Sequence, residues 1–127
     1  MLYSVFKLWL PPLLWAGLIF FLSDQPELSS GLPSIYDFIL RKLAHISEYA
    51  IFIFLIFRAL RGYNVNKKSG TSTCRLLIIS IILAILYAFS DEYHQTFVEG
   101  RKGRFLDVGI DSIGIIFTSY LIWRRNK

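Results

Sequence analysis

Residues 76–95 read LLIISIILAILYAFSDEYHQ. Their first fourteen positions, 76–89, carry no charge, whereas a helix that crosses the hydrocarbon core of a bilayer needs about 20 residues. The stretch reaches that length only if the helix continues through Ser90-Asp91-Glu92-Tyr93-His94-Gln95. That continuation carries two carboxylates and an imidazole to the membrane surface, so one reading of this segment sets both the fold and the place to look for chemistry.

Three further apolar runs lie outward from it, at residues 5–22, 43–60 and 105–123. Hydrophobic residues make up 54% of the 127-residue chain, and mean hydropathy is +0.50; a soluble domain has roughly 45–50% apolar residues. The expected architecture is all-α: a single domain over residues 1–127, an integral membrane bundle of four transmembrane helices. The first run lacks the marks of a cleaved signal peptide. Lys7 is its only leading charge, Pro11-Pro12 interrupts it, and no A-x-A site follows. It is expected to be a retained helix, kinked at the prolines. Trp9, Trp15 and Trp123 suit interfacial or packing positions, and the same holds for Phe52, Phe54, Phe57, Phe89 and Phe117 as lipid-facing or packing rings. Ser34-Ile35-Tyr36-Asp37 follows Pro26, Gly31 and Pro33 and resembles a helix cap, with residues 35–40 lying in the interface before the second helix. Residues 62–73 read as a flexible surface loop. The single cysteine, Cys74, excludes an internal disulfide and a cysteine metal cluster.

The charges divide sharply. With four crossings, one side collects Lys7, Arg58, Arg61, Lys67, Lys68, Arg75, Arg124, Arg125 and Lys127, and no acid. The other collects Arg41, Lys42, Arg101, Lys102 and Arg104 together with every acid of the chain: Asp24, Glu27, Asp37, Glu48, Asp91, Glu92, Glu99, Asp107 and Asp111. Lys and Arg accumulate on the cytoplasmic side, so a multi-pass protein of the plasma membrane with both termini in the cytoplasm is expected. The net charge of +5 then reflects orientation rather than nucleic-acid binding. Lys67 and Lys68 suit contact with anionic lipid.

Helical periodicity arranges the acidic end. Residues three, four and seven apart share a face. Lys42, His45 and Tyr49 form one stripe with Glu48 beside it; Asp91, His94 and Gln95 another, with Glu92 to one side; Arg104, Asp107, Asp111, Gly114 and Thr118 a third. Exposing such charges to lipid costs about 2.5–3.5 kcal/mol each, so the stripes are expected to turn inward and meet. Gly114 and Gly109 would admit a neighbouring helix. A purely structural role, with Lys42, Arg101 and Arg104 pairing with the acids, is the competing expectation.

The pattern Lys42-Leu43-Ala44-His45, Glu48-Tyr49, Ser90-Asp91-Glu92-Tyr93-His94-Gln95-Thr96-Phe97, Gly100-Arg101, Asp107 and Gly114 resembles the VanZ family over roughly residues 37–118. The usual family pattern has Pro before Gly-Arg and Asn at the second acidic position of the last helix; here Glu99 and Asp111 stand there. The resemblance implies a cell-envelope function and, in some members, reduced susceptibility to teicoplanin-type glycopeptide antibiotics.

Two functions follow as expectations. In the first, Lys42, His45, Glu48, Tyr49, Asp91, Glu92, His94, Gln95, Arg101, Arg104, Asp107 and Asp111 bind an envelope lipid, a lipid-linked precursor or a lipophilic glycopeptide without turnover. Arg101 and Arg104 would grip phosphate or carboxylate bidentately, and the histidines would orient the ligand. In the second, the chain is an intramembrane enzyme acting on a phosphorylated lipid, with His45, Glu48, Asp91, Glu92 and His94 as candidate acid–base groups; no signature identifies a nucleophile. His45-x-x-Glu48 and Asp91-x-x-His94 have metal-ligand spacing, but the neighbouring Lys42, Arg101 and Arg104 would repel a cation, so neither metal nor cofactor is expected. Membrane lipids are the expected partners, and four short helices are compatible with a homo-oligomer.

Overall fold

The computed structural model describes residues 2–24, 34–68, 70–98 and 104–127. They form four helices: α1 (Leu2–Asp24), α2 (Ser34–Lys67), α3 (Thr73–Gln95) and α4 (Phe105–Arg125), all long and apolar enough to cross a membrane. Helix α3 runs unbroken through the polar residues 90–95, as its length requires. Helix α1 passes through Pro11 and Pro12 without interruption.

Two expected boundaries move. Residues 35–40 are not a separate interfacial segment: α2 begins at Ser34 and is continuous for 34 residues. Nor is 62–73 all loop, because α2 persists to Lys67 and α3 starts at Thr73. Polar composition suggested a loop there, but the helix simply outruns the hydrocarbon, reaching about 50 Å at 1.5 Å per residue. The short turn that remains is closed by Asn64, whose amide donates to the Thr71 carbonyl (3.2 Å) and accepts from the Thr71 N–H (3.3 Å). Ser72 caps α3 by accepting from the Arg75 N–H at 3.3 Å.

The bundle is apolar outside as well as in. A third or less of each spanning window is buried within it; Leu13, Phe21, Ile82, Leu86, Ile116 and Phe117 are exposed, as suits a lipid-facing surface. Phe54 and Phe89 face outward with them, while Phe52 and Phe57 pack inside. Ile19, Tyr49, Ile53, Ala84, Ala88 and Ile115 form the centre, and Phe57, Leu76, Leu77 and Ile122 form a second cluster nearer the basic end. Hydroxyls in these helices satisfy themselves on the preceding turn: Ser80 donates to the Leu76 carbonyl (2.8 Å) and Ser119 to that of Ile115 (2.6 Å). Helix α1 is tied on by the Trp15 indole, which donates to the Glu48 carbonyl (2.9 Å), and by the Tyr87 hydroxyl, which donates to the Ala16 carbonyl (2.5 Å).

Helices α2 and α4 run parallel. Lys42 pairs with Asp107 near one end and Arg61 with Asn126 near the other, each 65 positions apart. Between these contacts, a Cβ on Gly114 would collide with the Ile46 carbonyl oxygen and crowd the Ala50 nitrogen. Backbone cannot step aside as a side chain can, so only glycine permits this approach. Gly109 plays no such part, as the space beside its Cα is open; it falls on a different face of α4. Replacing Gly114 with Ala should therefore destabilise the protein by about 1–3 kcal/mol, whereas Gly109→Ala should leave stability unchanged or slightly raised. Thermal unfolding of the two variants in mild detergent measures the contrast, and equal midpoints would contradict the packing described.

Candidate functional site

The polar residues at the acidic end assemble in three connected groups. Asp91 lies at the centre, held on α3 where the bundle closes over it. One of its carboxylate oxygens accepts from the Tyr49 hydroxyl of α2 (3.3 Å) and from the Gln95 amide one turn further along α3 (3.3 Å). The same amide nitrogen reaches the Ser23 hydroxyl of α1 at 3.5 Å. Three helices thus converge on one carboxyl group.

The second group joins α2 to α4. His45 Nδ1 lies 3.4 Å from Asp111 and 4.0 Å from Glu48. That is close enough for electrostatic pairing, yet the Nδ1 contact is not aligned as a hydrogen bond. Asp111 can sit there because Gly114, one turn on, brings α4 against the α2 backbone. Asp111 is 1% exposed and Tyr49 fully buried, whereas the His45 side chain retains 19% exposure; the imidazole therefore stands between the buried acids and the surface.

The third group organises the start of α4. Arg104 is its N-cap residue and makes no side-chain cap. Glu92 of α3 supplies one instead, accepting from the Arg104 backbone N–H at 3.1 Å. A carboxylate at this position also opposes the positive end of the helix dipole. Beside it, Lys42 of α2 is ion-paired with Asp107, so its charge is already partnered. The Arg104 side chain is exposed.

His94 stands apart. It turns toward α1, where Nε2 is 3.2 Å from Asp24 and its ring stacks on Phe20 with centroids 4.3 Å apart. Asp91 and Gln95, four residues apart, point inward together; His94, three from Asp91, leads round to the neighbouring helix. Arg101 lies outside the described residues, as do Glu27, Glu99, Gly100 and Lys102. Thr118 is remote from the acidic cluster, lining a groove toward the basic end.

Ser23, Asp24 and Trp15 are the contributors that helical periodicity did not single out. Helix α1 has no polar stripe; the available signal was the abrupt end of its apolar run at Ser23-Asp24, opposite the end of α3.

Among the described residues, four buried side-chain atoms have no hydrogen-bond partner: His45 Nδ1, Asp91 Oδ1, Glu92 Oε1 and Asp111 Oδ2. Asp91 and Glu92 are each 2% exposed. The three carboxylate oxygens can only accept while ionised, and among the described residues no donor reaches them. Among the described residues, no group of three or more His, Cys, Asp or Glu side chains is arranged to hold a metal ion.

A family model for VanZ/LLP1 matches residues 8–125. The chain belongs to the VanZ/LLP1 family. No curated protein and no solved structure matches it. The matched VanZ/LLP1 region takes in most of α1 as well as α2–α4, so the α1 residues that close the polar cluster fall within it. Two consequences for this VanZ/LLP1 protein can be measured by unfolding it in detergent. Tyr49→Phe removes a donor from a buried carboxylate and should cost about 1–3 kcal/mol. A double-mutant cycle on Lys42→Ala and Asp107→Ala should give a coupling of only about 0–1 kcal/mol, because the two side chains retain 24% and 19% exposure.

Proposed function

We propose that this VanZ/LLP1 protein binds, without turnover, a lipid-anchored envelope molecule with a donor-rich head group: an envelope lipid, a lipid-linked precursor or a lipophilic glycopeptide. The site faces the outer leaflet of the plasma membrane, with both termini in the cytoplasm. The orientation rests on the Lys and Arg excess at the opposite end. By engaging such a molecule the protein would lower susceptibility to teicoplanin-type glycopeptides.

The observation that carries this reading is the set of three buried carboxylate oxygens on α3 and α4, those of Asp91, Glu92 and Asp111, that no donor reaches among the described residues. Leaving a buried acceptor unpaired costs about 1–3 kcal/mol, and a ligand bearing hydroxyl or amino groups would recover that cost on binding. Sugars and amines are such groups. The exposed Arg104 can add a bidentate contact to a phosphate or carboxylate, and the apolar exterior accommodates the anchor. Arg101 is assigned to the same ligand on the strength of the Gly100-Arg101 motif.

A second reading is favoured by one contact. His45 beside Asp111 is an imidazole next to a carboxylate, the arrangement that general acid–base catalysis uses. An intramembrane enzyme acting on a phosphorylated lipid would employ it.

Titration of the protein in lipid nanodiscs distinguishes the two. A lipid-linked peptidoglycan precursor or a teicoplanin-type glycopeptide should bind saturably and be recovered unchanged. Asp91→Asn and Asp111→Asn should each weaken binding about tenfold or more, corresponding to one lost charge-assisted hydrogen bond. Absence of saturable binding to either compound by folded protein would remove the proposal. Conversion of a phosphorylated lipid, lost on His45→Ala, would replace it with the enzyme.

A further inference from the structure

At the opposite, basic end, a groove of about 620 Å³ lies between α2 and α4. Its walls are apolar: Phe57 and Ile122 form the floor, while Phe54 and Leu121 stand at the lipid-facing edge, 49% and 47% exposed. Its rim carries three guanidinium groups, those of Arg58, Arg61 and Arg125. The volume falls in the range of small-ligand sites.

Two features give the rim a direction. Asn126 is fixed, its amide donating to the Ile122 carbonyl (2.7 Å) while its oxygen accepts from Arg61 (2.8 Å). This holds the Arg61 guanidinium over the groove with most of its donors unspent. Among the described residues, Arg58 and Arg125 have neither a hydrogen-bonded nor an ion-paired partner. No Asp or Glu side chain on the same half of the molecule can supply one, because residues 1–23, 50–90 and 112–127 contain neither. Three cations around an apolar slot at the end of a membrane-spanning pair therefore await an anion that arrives with a hydrocarbon chain.

We propose that this groove is a binding site for an anionic phospholipid. Arg58, Arg61 and Arg125 hold its phosphate at head-group depth, and one acyl chain lies along Phe54, Phe57 and Leu121. A free phosphate would satisfy the arginines but not the apolar walls; a zwitterionic lipid would bring an ammonium group to a rim that is already cationic. The site is separate from the acidic cluster and does not depend on the ligand assigned there.

The full-length protein, reconstituted in nanodiscs of equal phosphatidylglycerol and phosphatidylcholine and released for native mass spectrometry, tests this. Wild type should retain phosphatidylglycerol about tenfold over phosphatidylcholine, and Arg58→Gln or Arg125→Gln should each lower that ratio about fivefold, in line with one basic contact to an anionic head group. Leu121→Trp, which fills the slot and keeps every charge, should reduce retention of both lipids. Arg75→Gln and Lys127→Gln, at the same end but outside the groove, should leave the ratio unchanged. Equal retention of the two lipids by wild type would overturn the proposal. So would an equal loss in the two outside variants, which would make the effect one of general charge, or displacement of the lipid by millimolar inorganic phosphate with Leu121→Trp behaving as wild type.

Discussion

Gly114 lets the α4 backbone rest against the α2 backbone at Ile46 and Ala50, and the rest of the molecule is arranged around that contact. In hydrocarbon there is no solvent-driven force to press two helices together, so association depends on close packing and on polar groups that find each other. Both are present along this pair. The constant offset of 65 from Lys42–Asp107 to Arg61–Asn126 means that one register sets both ends. Nineteen residue steps separate these contacts along either helix, about 28 Å at 1.5 Å per residue, close to the thickness of a hydrocarbon core of about 30 Å. The glycine contact lies one turn below Asp111, which explains why this acid can be buried opposite His45.

The two ends of the pair differ in chemistry although they share geometry. At one end carboxylates outnumber the cations that could neutralise them: Lys42 goes to Asp107, Glu92 is partly satisfied by a backbone N–H, and Asp91 receives a tyrosine and an amide. Acceptors are left over. At the other end the surplus is of donors, since three arginines share a rim with a single fixed asparagine oxygen. A protein in water would quench both surpluses with solvent. In a bilayer each surplus is the basis of a proposed ligand of the opposite character, the donor-rich head group proposed at one face and the anionic lipid proposed at the other.

The spanning helices could be read from the sequence because hydrophobic length is a one-dimensional property. Runs at 5–22, 43–60, 76–95 and 105–123 correspond to α1–α4, and the errors lie at the ends. Helix α2 extends to Ser34 and Lys67 since polar residues such as Asn64 and Lys67 are as helical outside the hydrocarbon as within it, and hydropathy marks only where the membrane stops. The candidate site was partly legible for the same reason. The three, four and seven spacing placed His45 with Tyr49 and Asp91 with Gln95, while Gly109 looked equivalent to Gly114 by type and differed only in what lay opposite.

Composition, the four apolar runs and the sorting of acids from bases are fixed by the sequence alone, because each depends on the transfer of a residue between water and lipid and not on its neighbours. The family resemblance was also carried by the order of residues. What the tertiary structure decided is which polar groups meet. Asp91 rather than His94 became the hub, Glu92 capped α4 through the backbone of Arg104, Ser23 of α1 closed the cluster while Asp24 drew His94 aside, and Arg61 was fixed over an apolar groove. Those pairings depend on the rotation and register of one helix against another, set by a few close contacts such as Gly114 on Ile46, and no periodicity within a single helix contains that information.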